Sequence, residues 1–132
     1  MQLQMTFSTQ MKTNNYLLVF LGGGLGALVR YLIASALELT VGNSVAGSLY
    51  LFIVNISGAV FLGMVTAMRT ESQRIFWGAG FAGGFTTMSG VAIFLYTQTP
   101  QIALPAAAIM FGLGFIGYAA GSNLARVIRS NQ

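Results

Sequence analysis

Four blocks of mostly apolar residues, 16–37, 49–68, 75–96 and 102–128, follow one another along the chain, separated by short polar connections at 38–48, 69–74 and 97–101. A helix crossing a hydrocarbon core of about 30 Å needs about 20 such residues at a rise of about 1.5 Å each. Each block is therefore expected to be a membrane-spanning helix, and the short connections make consecutive helices antiparallel. Tyr16, Tyr50, Trp77 and Tyr96 fall near the block ends, where amphipathic rings favour the headgroup level. Pro100 is read as the breaker between the last two spans. Residues 1–15 are polar and Met-rich and are expected to form a flexible tail, with 129–132 as a short C-terminal tail. The apolar stretch after Lys12 exceeds the usual 7–15 residues of a signal peptide and no A-x-A site follows it, so a retained first helix is expected.

Composition strengthens this picture. Of 132 residues 55% are hydrophobic and 6% charged, with a mean hydropathy of +0.75, whereas a soluble domain needs roughly 25% charged residues on its surface. An all-α membrane protein is expected. The chain has no His, no Cys and two acids, Glu38 and Glu71, so imidazole or thiolate metal sites, nucleophilic cysteine and paired-carboxylate catalysis lack their residues. No enzyme is expected. Its six scattered cations make no basic face for nucleic acid.

The positions of the cations say more than their sum. Lys12, Arg69, Arg74, Arg126 and Arg129 all fall on one side of the four-span layout, while the opposite connections hold no Lys or Arg. By the positive-inside rule a single orientation in the cell (inner) membrane follows, with both termini cytoplasmic.

Inside the spans, polar and small residues mark candidate sites. Gly22 and Gly26 share a helix face with Arg30, an intramembrane cation with no carboxylate in any span to pair with. Ala108, Gly112, Gly117 and Gly121 are candidate close-packing positions in the fourth span. The second span carries a thin polar stripe of Ser48, Asn55 and Thr66. Asn55 reads either as an interhelical hydrogen bond or as an amide offering donors to an anion. The third span is the least helix-like: residues 78–90 hold five glycines and three hydroxyls, Thr86, Thr87 and Ser89. Glycine costs about 1 kcal/mol against alanine in a helix, so a break near the midplane is expected. Non-helical backbone at that depth must be buried or line a cavity, which makes it a pointer to a transport site. Close glycine packing is the alternative.

These stretches, Gly22-Gly23-Gly24-Leu25-Gly26-Ala27 with Arg30-Tyr31, Asn55-Ile56-Ser57-Gly58, and Gly80-Phe81-Ala82-Gly83-Gly84-Phe85-Thr86-Thr87-Met88-Ser89, resemble the Fluc (CrcB) family of fluoride channels over residues 16–128. The resemblance implies an antiparallel dimer with two fluoride pores, a breach in the third helix and a central Na+ held by backbone carbonyls. Carried onto this chain, it implies Gly83 and Thr86 as the Na+ carbonyl donors and Asn55 as a pore-lining amide. Arg30 becomes the family's first-span arginine, and Ser89, with Thr87 beside it, the first hydroxyl of the anion pathway. Departures are visible. Met88 and Val91 stand where the family has a phenylalanine pair, Gly90 and Ala92 replace later hydroxyls, and Phe94 replaces an acidic residue. A ring edge is electropositive and can face an anion; a thioether or isopropyl group does this poorly.

An antiparallel homodimer must insert one sequence both ways, yet the cation bias here is about five to zero. The expected assembly is thus a heterodimer in membrane lipid with a paralogous subunit of opposite orientation, one pore conducting and the other degraded. The expected function is passive fluoride export. A non-conducting scaffold subunit is one alternative. A small multidrug exporter is another, weakened because Glu38 lies at a span end while proton-coupled export needs an embedded carboxylate.

Overall fold

The computed structural model describes residues 2–41 and 43–130, with side chains described for 14–40 and 47–130. Its elements are α1 (Gln2–Val41), α2 (Asn43–Val65), α3 (Glu71–Arg74), a π-helical stretch (Ile75–Ala82), α4 (Gly83–Phe85), α5 (Met88–Thr97) and α6 (Pro100–Ser130). Four stretches are long and apolar enough to cross a membrane: Asn14–Thr40, Gly47–Val65, Glu71–Thr97 and Pro100–Ser130. The four-span layout stands, and among the described residues there is no strand.

Two boundaries differ from expectation. Helical backbone runs through residues 2–15 and joins the first span without a break, because no Gly or Pro occurs between positions 2 and 21 to end it. At the other terminus α6 continues to Ser130; residues 1, 42, 131 and 132 lie outside the described set. Pro100 opens α6 as its first residue, where its missing N–H costs nothing. Thr99 O accepts the N–H groups of Ile102 and Ala103, both at 2.9 Å.

Glycine contacts show how the spans pair. A Cβ on Gly22 would meet Phe81 N at 3.0 Å and Gly80 Cα at 3.1 Å, and one on Gly26 would meet Phe85 N at 2.8 Å. Positions rise together on both partners, so the first and third spans run parallel, backbone against backbone. In the same way Gly117 and Gly121 pack on Val60, and Gly63 packs on the backbone at Tyr118 and Ser122, so α2 and α6 are parallel. Small residues at these crossings are what lipid-embedded helices need to gain dispersion contact. Gly112 meets nothing within 4 Å and Ala108 is exposed, so this half of the expected α6 face is not a contact within the chain.

Large apolar side chains face outward along all four spans, whereas the interior is thin: Leu51, Val91 and Met110 form its cluster, with Tyr50, Phe52 and Phe94 against it. Outward apolar surface on this scale fits a membrane-spanning protein rather than one surrounded by water.

Candidate functional site

The third span is interrupted at Thr86–Thr87. Thr86 (φ −76°, ψ 163°) and Thr87 (φ −145°, ψ 110°) are extended, between α4 and α5. Much of the glycine-rich run before the break stays helical, because Gly80 and Gly84 serve the contact with α1 rather than ending the helix. The π-helical turn was not foreseen. Its wider coil sets Trp77 and Phe81 around Phe61, with ring centroids 6.0 and 5.2 Å from it, and Phe81 stacks on Phe85 at 5.8 Å. A π-helical stretch is rare and often marks a functional site.

The break redirects backbone groups. In a continuous helix the Thr87 N–H would donate to Gly83 O; here it donates to Asn55 Oδ1 at 2.9 Å. The Gly90 N–H would donate to Thr86 O, but donates to Thr87 Oγ1 at 3.0 Å, making Thr87 the N-cap of α5. Gly83 O and Thr86 O thus both lose their helical donors. Thr86 O accepts instead from Arg30 Nη1 at 3.4 Å. Arg30 lies one turn beyond Gly26, so the close glycine crossing delivers a cation to the break.

Asn55 sits across the break from α2. Besides accepting from Thr87 N–H, its Nδ2 donates to Thr87 O at 3.4 Å and to Met110 Sδ at 3.6 Å. The interhelical hydrogen bond expected of this residue is present, since the amide clamps Thr87, and Asn55 also lines a cavity. Met110 carried no motif; only its spacing on an apolar helix could have placed it in the core. Thr87 is 7% exposed. Ser89 is exposed with its Oγ 3.2 Å from Thr87 Oγ1, so the two hydroxyls form a pair at the start of α5.

Met88 and Val91 part company. Met88 is 66% exposed, facing a groove, whereas Val91 is 1% exposed and belongs to the core cluster.

Three of the cavities beside α2 each take a different member of its polar stripe. Ser48 joins Glu38, Thr97 and Gln98 around about 430 Å³ at one end. Asn55 joins Thr86, Met88, Met110 and Tyr118 around about 450 Å³ in the middle. Thr66 joins Ser122, Arg126 and Arg129 around about 400 Å³ at the other end. Glu38 is helical, within α1 rather than in the connection. Gly83 and Thr86 line a further, smaller cavity of about 320 Å³ with Asn55 and Gly58.

The sequence signature described as "CrcB-like protein, Camphor Resistance (CrcB)" matches residues 17–124. The chain belongs to this family. Curated CrcB-family relatives are similar over most of their length. "Fluoride-specific ion channel FluC 2" of Corynebacterium jeikeium (strain K411) is 33% identical over 132 residues, covering 83% of this chain and 78% of the relative. "Fluoride-specific ion channel FluC" of Rhodopseudomonas palustris (strain BisB5) is 32% identical over 111 residues, 80% of this chain and 78% of the relative. "Fluoride-specific ion channel FluC 2" of Nocardia farcinica (strain IFM 10152) is 35% identical over 115 residues, 83% and 74% respectively. No solved structure matches the CrcB-family chain.

Proposed function

We propose that this multi-pass membrane protein is one subunit of a fluoride-specific channel that lets fluoride leave the cytoplasm passively. The observation that carries the reading is the third-span break clamped by Asn55, with Arg30 beside it, in a chain whose relatives bear the name of fluoride channels. Fluoride is small and strongly hydrated, so a path must replace its water with N–H and O–H donors while the field stays positive. Asn55 Nδ2 and the Thr87–Ser89 hydroxyl pair are such donors. The ten-residue α5 points its N-terminus at the break, adding a partial positive charge, and Arg30 adds a full one. Among the described residues no chain of titratable groups crosses the spans to couple the movement to an energy source.

Gly83 and Thr86 fit a role as carbonyl ligands for a hard cation such as Na+, because the break frees both oxygens from helical donors. Thr86 O already accepts from Arg30, and Gly83 is exposed on the outer face. Two oxygens are too few for a hard cation, so the remaining ligands belong to a second subunit. Such an ion would add positive charge at the dimer centre.

The partner in this reading is a paralogue in the opposite orientation. The one-sided cations support it, and relatives carry numbered names, FluC 2 in three species and FluC 1 in Ligilactobacillus salivarius. The cytoplasmic side is then the side of Arg69, Arg74, Arg126 and Arg129, with both termini there. The scaffold alternative draws on one observation: Val91 is buried in the core and Met88 fronts an apolar groove, so this chain offers no ring edge at those positions. In a bacterium lacking its own fluoride channel, the chain and its paralogue together should restore growth in sodium fluoride, and neither alone should. Growth with this chain alone would refute the heterodimer. Failure of every combination would refute the fluoride reading.

A further inference from the structure

Of the cavities along α2, the one at the cation-rich end takes no part in the scheme above. It encloses about 400 Å³ between the ends of α2 and α6, lined by Thr66, Ala67, Tyr118, Ser122, Arg126 and Arg129. Arg126 and Arg129 are three apart on α6 and thus share a face. No carboxylate lines the space, and neither guanidinium has an ion pair or hydrogen bond with another described residue. Arg74, a cation of the same side, differs: its Nη1 donates to Met68 O at 3.2 Å. Two of the cavity's hydroxyls are already spent as donors. Ser122, 8% exposed at the floor, donates to Ala119 O at 2.9 Å, and Thr66 donates to Gly63 O at 2.7 Å. The site is therefore rich in unused guanidinium donors, joined by the Tyr118 hydroxyl, and lacks a counter-charge.

Depth narrows what could supply that charge. The apolar run of α6 from 102 to 121 is long enough to cross the hydrocarbon core, at about 1.5 Å per residue. Arg126 and Arg129 lie five and eight residues further on, about 7 and 12 Å beyond that core, within reach of a headgroup layer about 5–8 Å thick. Two forked guanidinia match the paired oxygens of a phosphate, and the cavity is far larger than a halide needs.

We propose that Arg126, Arg129 and Tyr118 form a phosphate-binding site filled by the headgroup of an anionic lipid of the cytoplasmic leaflet. The site ties the ends of α2 and α6 to the membrane surface at the mouth beside the central groove, since Tyr118 lines both spaces. It does not depend on which ion the protein conducts.

Native mass spectrometry of the full-length protein in detergent tests it, with dioleoylphosphatidylglycerol and dioleoylphosphatidylcholine added in equal amount. The wild type should carry phosphatidylglycerol in clear excess, and each of R126Q and R129Q should lower that adduct by about fivefold. R69Q/R74Q, which removes two cations of the same side outside the cavity, should leave it unchanged. Where a glutamine variant does not stay monodisperse, R126K/R129K keeps the charge, loses the fork and should bind at an intermediate level. A parallel thermal-shift series with inorganic phosphate separates the sources. Stabilisation by phosphate that R126Q removes, without any lipid preference, would assign the site to free phosphate and overturn the lipid. Equal adducts of both lipids with no effect of phosphate, or equal losses in R69Q/R74Q and R126Q, would overturn the site itself.

Discussion

Gly24 and Gly26 lie two residues apart in one glycine run, yet alanine should affect them in opposite ways. A Cβ on Gly26 would overlap Phe81 O and stand 2.8 Å from Phe85 N and 3.1 Å from Phe81 C, all backbone atoms that cannot rotate away. Unbonded heavy atoms settle at about 3.5 Å, so the first and third spans must separate by about 1 Å. Overpacking of this kind costs about 1–3 kcal/mol. It has a second effect: the Arg30 Nη1 to Thr86 O contact is already 3.4 Å, and a further separation of that size breaks it. On Gly24 a Cβ meets nothing within 4 Å, and alanine gains up to about 1 kcal/mol of helix propensity. The assay is the temperature at which the detergent-solubilised protein loses its monodisperse gel-filtration peak, followed by fluoride efflux of each variant assembled with its partner. G26A should lower both temperature and flux while G24A lowers neither. Equal behaviour of the two variants would refute the crossing and the delivery of Arg30 by it.

Other substitutions separate clamp from pathway. N55A leaves the Thr87 N–H buried without its acceptor and should destabilise by about 1–3 kcal/mol in the same thermal assay. N55D keeps that acceptor but places a negative charge beside the break, so folding should persist while fluoride efflux falls; unchanged efflux would remove Asn55 from the conducting path. T87V loses the α5 N-cap and should cost about 1 kcal/mol, with T87S restoring most of it. M88F returns a ring edge to an exposed position facing the central groove and should raise the partnered channel's efflux; no gain would place this chain's groove outside the conducting route.

What the sequence made legible followed strong physical constraints. Hydrocarbon thickness fixed four spans to within a few residues, and the i, i+4 spacing of Gly22, Gly26 and Arg30 placed them on the face that meets the third span. The break was expected from its glycines, but the glycines pack and the two threonines carry the extended backbone. Glycine permits both outcomes, and only the neighbouring helix decides between them. Asn55 was legible as a polar group at depth, yet its grip on Thr87 depends on the break itself. The π-helical turn was not read from the sequence, and with it the packing of Trp77 and Phe81 on Phe61 was missed. Val91 read as half of a degraded aromatic pair, while its burial beside Leu51 and Met110 could come only from the assembled fold.

The central claim is that fluoride crosses the membrane through a channel to which this chain contributes. Its most direct test is ion-selective-electrode measurement of anion release from liposomes containing the chain and its opposite-facing paralogue, loaded with fluoride or with chloride. The account predicts rapid fluoride release, negligible chloride release, and no release of either from liposomes holding this chain alone. Chloride release as fast as fluoride release, or no fluoride release from the assembled pair, would contradict it.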